Sequence, residues 1–125
     1  SSKAVGTMLI GTVEGDIHNI GKDIVINVLR ANGYKVIDLG KDVDISKIIE
    51  TVKTENVHLV GLSALMTTTV TSMEATIKAL KEAYPNVKVM VGGAVLTPEY
   101  ARKIGADYYS KDARGAVDIA RNVFI

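Results

Sequence analysis

Residues 11–25, GTVEGDIHNIGKDIV, run from the end of an apolar segment through a polar turn and into a helical pattern. The apolar and β-branched segment from Val5 to Val13 predicts a buried strand, and the spacing of apolar residues from Gly21 to Ala31 predicts an amphipathic helix. A strand that passes directly into a helix is the unit from which alternating α/β folds are built. The turn between the two places Asp16 and His18 among glycines, which makes it the first candidate for a functional loop.

The same alternation continues to the end of the chain. Further strands are predicted at Tyr34 to Leu39, His58 to Leu65, Val87 to Val91 and Asp107 to Tyr109. The helices between them are expected to begin at the N-caps Asp44, Thr97 and Asp112 and at a capping box of Thr71 and Glu74.

Five β-α units in one run predict an α/β fold in which a five-stranded parallel sheet carries helices on both faces. Right-handed crossovers bury each strand of such a sheet from two sides. For five strands we expect the flavodoxin-like (Rossmann-like) order 2-1-3-4-5. The pattern has no repeat or linker, so residues 1–125 are expected to form one domain.

The composition narrows the classes of function. A chain of 125 residues with 47% hydrophobic content can build one core. Fifteen basic against 14 acidic residues give no electrostatic support for a nucleic-acid or membrane partner, and no apolar run reaches membrane-spanning length. The chain has no Cys, which excludes disulfides and thiolate metal ligands and fits a cytoplasmic protein.

A ligand of such a sheet binds beyond the carboxyl ends of its strands, near the switch point between strands 1 and 3. Three segments are predicted to meet there. They are the turn with Asp16 and His18, the segment that begins at Ser63 after strand 3, and Gly92-Gly93 after strand 4. Residues far apart in sequence are therefore expected to share one rim.

The turn residues suit metal chemistry. An exposed imidazole is a good ligand for a transition metal, and its second ring nitrogen needs a partner that fixes the tautomer. Asp16, two residues before His18, is placed to accept that N–H. The same residues also fit a structural explanation, in which Asp16 caps the helix and His18 is a solvated loop residue. One His does not hold a free ion tightly, so a metal here is expected to arrive inside a larger cofactor.

The other rim residues also have structural explanations at this stage. A tight turn explains Gly92-Gly93, and a hydrogen bond to a backbone group explains Ser63. Thr67 to Thr69 fit a loop or a helix cap. His58 is expected to be structural, and the lysines of the helices are expected to form solvated surface.

Together, the motifs Asp16-x-His18-x-x-Gly21, Ser63-x-Leu65 and Gly92-Gly93 resemble the cobalamin-binding domain of the corrinoid proteins of methyltransferase systems. They are also similar to the cobalamin domain of methionine synthase. The resemblance covers nearly the whole chain, and the order and spacing of the three motifs are specific where a lone DxHxxG is not. It implies a cobalamin or related corrinoid as cofactor.

The resemblance also implies residue roles. His18 would replace the cofactor's own base as lower axial ligand of cobalt (base-off, His-on), and Asp16 would hydrogen-bond its other ring nitrogen. Thr69 would extend this relay where methionine synthase has a serine; threonine keeps the hydroxyl and adds a methyl group. The nucleotide tail and corrin would lie against the remaining implied cofactor-binding residues, which are Asn19, Ile20, Gly21, Ser63, Leu65, Met66, Thr67, Gly92, Gly93 and Tyr109.

The function implied is that of a methyl carrier. The protein would pass a methyl group between donor-side and acceptor-side methyltransferases through Co(I) and methyl-Co(III) states, without catalysing a reaction alone. Proteins of this family usually carry an N-terminal helical bundle over the upper face of the cofactor, and residues 1–125 are expected to lack it.

Other classes share the fold or the site. The cobalamin-binding subunit of an adenosylcobalamin mutase and a B12-dependent sensor would use the same residues. A phosphoacceptor receiver domain is a more distant alternative. It needs an Asp at the end of strand 3, where this chain has Ser63, and Lys111 is its one matching feature.

Overall fold

The computed structural model describes residues 6–124, which alternate between strands and helices. The strands are β1 (Thr7–Val13), β2 (Lys35–Val43), β3 (Leu59–Ser63), β4 (Lys88–Gly92) and β5 (Tyr108–Tyr109). The helices are α1 (Ile20–Ala31), α2 (Ile45–Glu55), α3 (Val70–Ala83), α4 (Pro98–Lys103) and α5 (Ala113–Val123), with a 3₁₀ turn at Thr67–Thr69 before α3.

The five strands form one parallel sheet in the order β2-β1-β3-β4-β5. The predicted fold class and strand order are therefore confirmed. This order places β1 and β3 side by side at the centre, with the chain leaving in opposite directions from their carboxyl ends. The crevice that results is the expected ligand position in doubly wound sheets.

Alternate residues of β1 pack on opposite faces of the sheet, as the two-residue period of a strand requires. Met8 and Ile10 lie in the apolar cluster that α1 and α5 cover, whereas Leu9 lies in the cluster that α2, α3 and α4 cover. All three side chains are at most 4% exposed. Burial on both faces explains why the central strands read as continuous apolar runs.

The third strand ends earlier than predicted. The predicted start of the first strand, Val5, lies outside the described residues. β3 stops at Ser63 instead of Leu65 because the backbone N–H of Ala64 turns to the Gly92 carbonyl of β4, and that of Leu65 turns to the Asp16 carboxylate. The early end of β3 brings together the loop after β1, the residues after β3 and the end of β4.

β2 ends four residues later than predicted, at Val43 instead of Leu39. Its register against β1 shifts twice, so that Ile10 pairs with Asp38 and Val13 with Val43. Two extra residues are thereby accommodated in β2, as in a β-bulge. The periodicity of the sequence does not reveal an irregular strand of this kind.

The capping box predicted for α3 is wrong. Thr71 lies inside the helix and donates a hydrogen bond from its hydroxyl to the Thr68 carbonyl, while Thr69 occupies the N-cap position. The 3₁₀ turn before α3 moves the helix start to Val70. The N-cap positions of Asp44, Thr97 and Asp112 are as predicted, and the last two accept hydrogen bonds from the backbone of their own helices.

Within residues 6–124, none of the helices has both the length and the apolar character needed to span a bilayer.

Candidate functional site

The three predicted rim segments meet at the carboxyl ends of β1, β3 and β4. Asp16, in the loop after β1, accepts a hydrogen bond at Oδ2 from the backbone N–H of Leu65, 2.8 Å away. The next residue back, Ala64, donates its N–H to the Gly92 carbonyl of β4. One turn after β3 thus connects the loop of β1 to the end of β4.

Asp16 and His18 form a close pair in this loop. Oδ1 of Asp16 lies 2.7 Å from Nδ1 of His18 and also accepts the backbone N–H of His18 at 3.0 Å. Because a carboxylate only accepts, the ring proton lies on Nδ1. Nε2 has no hydrogen-bond partner within residues 6–124 and the His18 side chain is 47% exposed. The pair therefore presents the Nε2 edge of the imidazole at the rim, where it is free to bind a metal.

The carboxylate of Asp16 is fully buried, unlike the imidazole that it orients. Thr69 donates its hydroxyl to Oδ2 of Asp16 at 2.7 Å from the start of α3. Burial by itself raises the pKa of this carboxyl, but hydrogen bonds from Thr69, Leu65 and His18 outweigh it, so the pKa lies well below its usual range. Asp16 is consequently a fixed negative charge behind the imidazole.

The methyl group that distinguishes Thr69 from a serine has space. It approaches Gly15, where an added Cβ would lie 3.6 Å from Cγ2 of Thr69, an ordinary contact distance. The hydroxyl keeps its position against Asp16. The structure thus accommodates threonine in the chain of hydrogen bonds from His18 through Asp16.

Thr12 fixes His18 from the other side, and the sequence analysis missed it. Its hydroxyl donates to the backbone carbonyl of His18 at 2.9 Å, although Thr12 belongs to β1 and is fully buried. Both backbone polar groups of His18 are therefore held by side chains, the N–H by Asp16 and the carbonyl by Thr12. In sequence, Thr12 appears as an ordinary β-branched strand residue.

A cavity of about 550 Å³ opens beside this loop, between α1, α5 and the sheet. Its inner wall is apolar and is formed by residues such as Ile10, Val25 and Met90. The predicted site residues that line it are Gly21, Ser63, Leu65, Gly92, Gly93 and Tyr109. Lining residues that the sequence analysis missed include Ser110, Lys111 and Asp112, which follow β5 and carry no recognisable motif.

The remaining predicted site residues lie outside the cavity. Met66 and Thr67 belong to the turn before α3, and Asn19 and Ile20 lie at the start of α1. Ile20 is 80% exposed and its neighbour Ile17 65%, which places two large apolar side chains in solvent around His18. Exposed apolar side chains grouped at one place are typical of a binding surface.

The two glycines after β4 have separate structural reasons. Gly93 has φ +141°, and a Cβ there would lie 1.8 Å from the Ala64 carbonyl oxygen, so the backbone alone requires glycine. At Gly92 a Cβ would lie 3.2 Å from the Ser110 carbonyl oxygen, a tight contact. Turn chemistry therefore explains Gly93 fully, independently of any ligand.

Gly21 is different, because nothing in the described part of the chain requires a glycine there. Its φ is not positive and a Cβ would meet no atom within 4 Å. A glycine within a helix destabilises it by about 1 kcal/mol relative to alanine. Gly21 nevertheless lines the cavity, which fits a ligand that passes close to the backbone of α1.

Lys22 corrects the expectation that the helix lysines are solvated. It is 3% exposed, and its Nζ lies 2.8 Å from both Asp23 and Asp38. Burial alone would lower the pKa of Lys22, but the two carboxylates outweigh it and raise the pKa. The pKa of Asp38 is lowered, because the Lys22 bond and the Gly40 N–H outweigh its own burial. The ion pairs of Lys22 with Asp23 and Asp38 therefore connect the first turn of α1 to β2.

The features of the chain's own residues fit a corrinoid. A free imidazole nitrogen stands at the rim, exposed apolar side chains surround it, and an apolar cavity with a backbone glycine lies alongside. In addition, the Oδ1 atom of Asn19 is buried without a partner among residues 6–124. No group of three or more His, Cys, Asp or Glu side chains that could hold a metal ion occurs within that range.

Comparison with known proteins gives the same class. The model of the B12 binding domain matches residues 6–118. The chain belongs to the B12-binding domain family. A trimethylamine corrinoid protein of Methanosarcina barkeri is 51% identical over 118 residues, which are 93% of this chain and 54% of that protein. The cofactor of this family is cobalamin or a related corrinoid, as predicted.

Solved structures agree with the sequence relatives. The monomethylamine corrinoid protein of Methanosarcina barkeri matches with a TM-score of 0.89 and 35% identity, over 98% of this chain and 59% of that chain. The methanol:cobalamin methyltransferase complex of the same organism matches with a TM-score of 0.93 and 34% identity, over 98% and 47%. A chemotaxis response regulator of Vibrio cholerae, at 13% identity, shares the fold alone. The chain spans about half the length of the curated relatives it matches.

Proposed function

We propose that residues 1–125 form one cobalamin-binding domain in which His18 is the lower axial ligand of the cobalt of a corrinoid. The observation that carries this proposal is the Asp16–His18 pair, 2.7 Å apart, with Nε2 of the ring free at the rim. The base of the cofactor's own nucleotide would be displaced, because the imidazole takes its position.

Asp16 and Thr69 tune that ligand. The buried carboxylate keeps the proton on Nδ1 and fixes the orientation of the ring, as carboxylate partners do for histidine ligands elsewhere. Thr69 and the Leu65 N–H stabilise the ionised carboxylate in turn.

The cavity would receive the displaced nucleotide tail. Its apolar inner wall suits an aromatic base, and Ser63 offers a hydroxyl among the lining residues. Ile17 and Ile20 would be covered by the edge of the corrin, with Met66 and Thr67 at the same rim. Gly21 would allow the cofactor to approach α1.

The activity that we propose is methyl carriage between methyltransferases. The bound corrinoid supplies a cobalt that accepts a methyl group and gives it up again. The protein would work with donor-side and acceptor-side methyltransferases in the cytoplasm and would not catalyse a reaction alone. The support is that the relatives are named as trimethylamine and dimethylamine corrinoid proteins. We extend this to a methylated amine as the methyl source.

A cobalamin titration followed by visible absorption tests the binding proposal. The chain has two histidines, so His58→Ala serves as the matched control for His18→Ala. We expect the wild type and His58→Ala to shift bound cobalamin to the His-on spectrum, and His18→Ala to lose that shift. Loss of the shift in both variants, or in neither, would contradict the assignment of His18.

Methyl carriage needs a second assay. Loaded protein is first reduced to the Co(I) form with a low-potential chemical reductant and is then mixed with a methyltransferase specific for a methylated amine. Methylation of the cobalt is followed by absorption, with methanol and its methyltransferase as comparison. Methylation from the amine supports the proposed donor class. Binding without methylation by either system would leave a mutase subunit or a sensor as the better assignment.

A further inference from the structure

The end of β2 has an unusual backbone conformation next to the His18 loop. Within residues 6–124, two residues other than glycine have positive φ, Asp42 and Asn56, both at +52°. Asp and Asn adopt this left-handed conformation more readily than other side chains, but it is still unfavourable. Asn56 ends α2, where a left-handed residue is common. Asp42 lies within a strand, where a left-handed residue is uncommon.

Asp42 uses this conformation to hold the loop of the cobalt ligand. Its backbone N–H donates to the Asp16 carbonyl at 2.9 Å, and its Oδ1 accepts the backbone N–H of Gly15 at 2.7 Å. The two bonds bracket the Gly15–Asp16 segment. The register shifts between β1 and β2 supply the extra residues that bring Asp42 to this place.

We propose that Asp42 is a positioning residue that sets the orientation of the Asp16–His18 pair and thereby of the cobalt ligand. The proposal rests on the proposed function of His18. Gly15, with φ +87°, is the most freely rotating residue of the loop, and Asp42 restrains it on both sides. Thr12 holds the opposite end of the loop at the His18 carbonyl. Strained residues held by their surroundings are characteristic of functional sites.

The test uses three variants of the complete chain. Asp42→Gly removes the side-chain bond and relieves the unfavourable φ, whereas Asp42→Asn removes the charge but keeps an oxygen that accepts the Gly15 N–H. Because the Asp42 carboxylate also lies close to that of Glu14, the Asn variant separates the effect of the hydrogen bond from the effect of the charge. Asn56→Gly relieves the same φ far from the site and is the matched control.

The first measurement is amide hydrogen exchange in the protein without cofactor. In Asp42→Gly we expect the His18 and Leu65 N–H groups, which both donate to Asp16, to exchange about fivefold faster, the effect of one net hydrogen bond. The midpoint of urea unfolding should stay at or above that of the wild type. Asp42→Asn and Asn56→Gly should leave exchange at these two amides unchanged. Unchanged exchange in Asp42→Gly would overturn the positioning role.

The second measurement is the His-on fraction of the Co(II) form, read from nitrogen hyperfine splitting. Asp42→Gly should lower it, and Asp42→Asn should restore it. An equal His-on fraction in Asp42→Gly and the wild type would overturn the link to the metal ligand. A wild type without any His-on signal would instead refute the proposed function, while the exchange result would still decide whether Asp42 orients the pair.

Discussion

The Thr69 hydroxyl and the Asp16 carboxylate lie 2.7 Å apart, although 53 residues separate them in the chain. The contact joins the loop after β1 to the start of α3 and buries a charge directly behind the imidazole of His18. It therefore connects the stability of the fold to the orientation of the candidate ligand.

Removing this hydroxyl should destabilise the protein. Thr69→Val keeps the shape of the side chain but leaves the buried carboxylate short of a donor, which should lower the free energy of unfolding by about 1.5–3 kcal/mol. Thr69→Ser keeps the hydroxyl donor, so its free energy of unfolding should fall much less. Urea unfolding of both variants measures the difference. Equal stability of Thr69→Val and Thr69→Ser would show that the hydrogen bond contributes nothing.

Replacing Lys22 should weaken the fold in a pH-dependent way. Lys22→Met leaves Asp23 and Asp38 facing each other without a cation, and the free energy of unfolding should fall by about 1–2 kcal/mol at neutral pH. The contribution of Asp38, whose pKa is lowered, is present above its unfolded pKa and is lost as pH falls through the folded value. That of Lys22, whose pKa is raised, is lost as pH rises through its folded value, above 10.5.

The difference between wild type and Lys22→Met should therefore be constant from weakly acidic to weakly alkaline pH and should shrink at both extremes. Urea unfolding across the pH range checks this. A difference that stays constant into strong acid would show that the ion pair is not its source.

Gly21→Ala should separate stability from binding. Alanine favours the helix by about 1 kcal/mol and meets no neighbouring atom, so the protein without cofactor should unfold at higher urea. The same methyl group would stand in the cavity and should weaken cobalamin binding. Asn122→Ala, on the exposed side of α5, is a control that should raise helix stability without changing binding. Unweakened cobalamin binding in Gly21→Ala would place the cofactor away from α1.

Gly93→Ala should be far more damaging than Gly92→Ala. At Gly93 the added Cβ would collide with the Ala64 carbonyl and would require a φ that alanine rarely adopts, at a strain of about 1–3 kcal/mol before the collision is counted. At Gly92 the contact is tight but leaves room for small shifts. Thermal unfolding of the two variants without cofactor gives the comparison. Similar losses would mean that the β4 turn is more adaptable than the structure indicates.

The fold follows from the sequence because its signals are local. Most strands contain a short apolar run, and most helices have a regular apolar face and a recognisable start or end such as Thr97-Pro98 or Asn32-Gly33. The order of the strands then follows from general rules of chain connection. The meeting of Asp16, Ser63 and Gly92 at one edge is a consequence of that order, so it too could be predicted.

What the sequence did not reveal depends on contacts between distant residues. The burial of Lys22 depends on Asp38, and the hydrogen bond of Thr12 depends on where the His18 carbonyl lies. The start of α3 was misplaced because a 3₁₀ turn precedes it, and no local signal marks that turn. The conformation of Asp42 arises from a register shift between two strands, which a single strand's pattern does not encode.

The most direct test of the account is EPR of the Co(II) form bound to protein labelled with nitrogen-15. Nitrogen-15 and nitrogen-14 give different hyperfine patterns, so the spectrum identifies whether the axial nitrogen belongs to the protein or to the cofactor. We predict a nitrogen-15 pattern that His18→Ala abolishes and His58→Ala keeps. A nitrogen-14 pattern from the cofactor's own base in the labelled wild type would contradict the central claim.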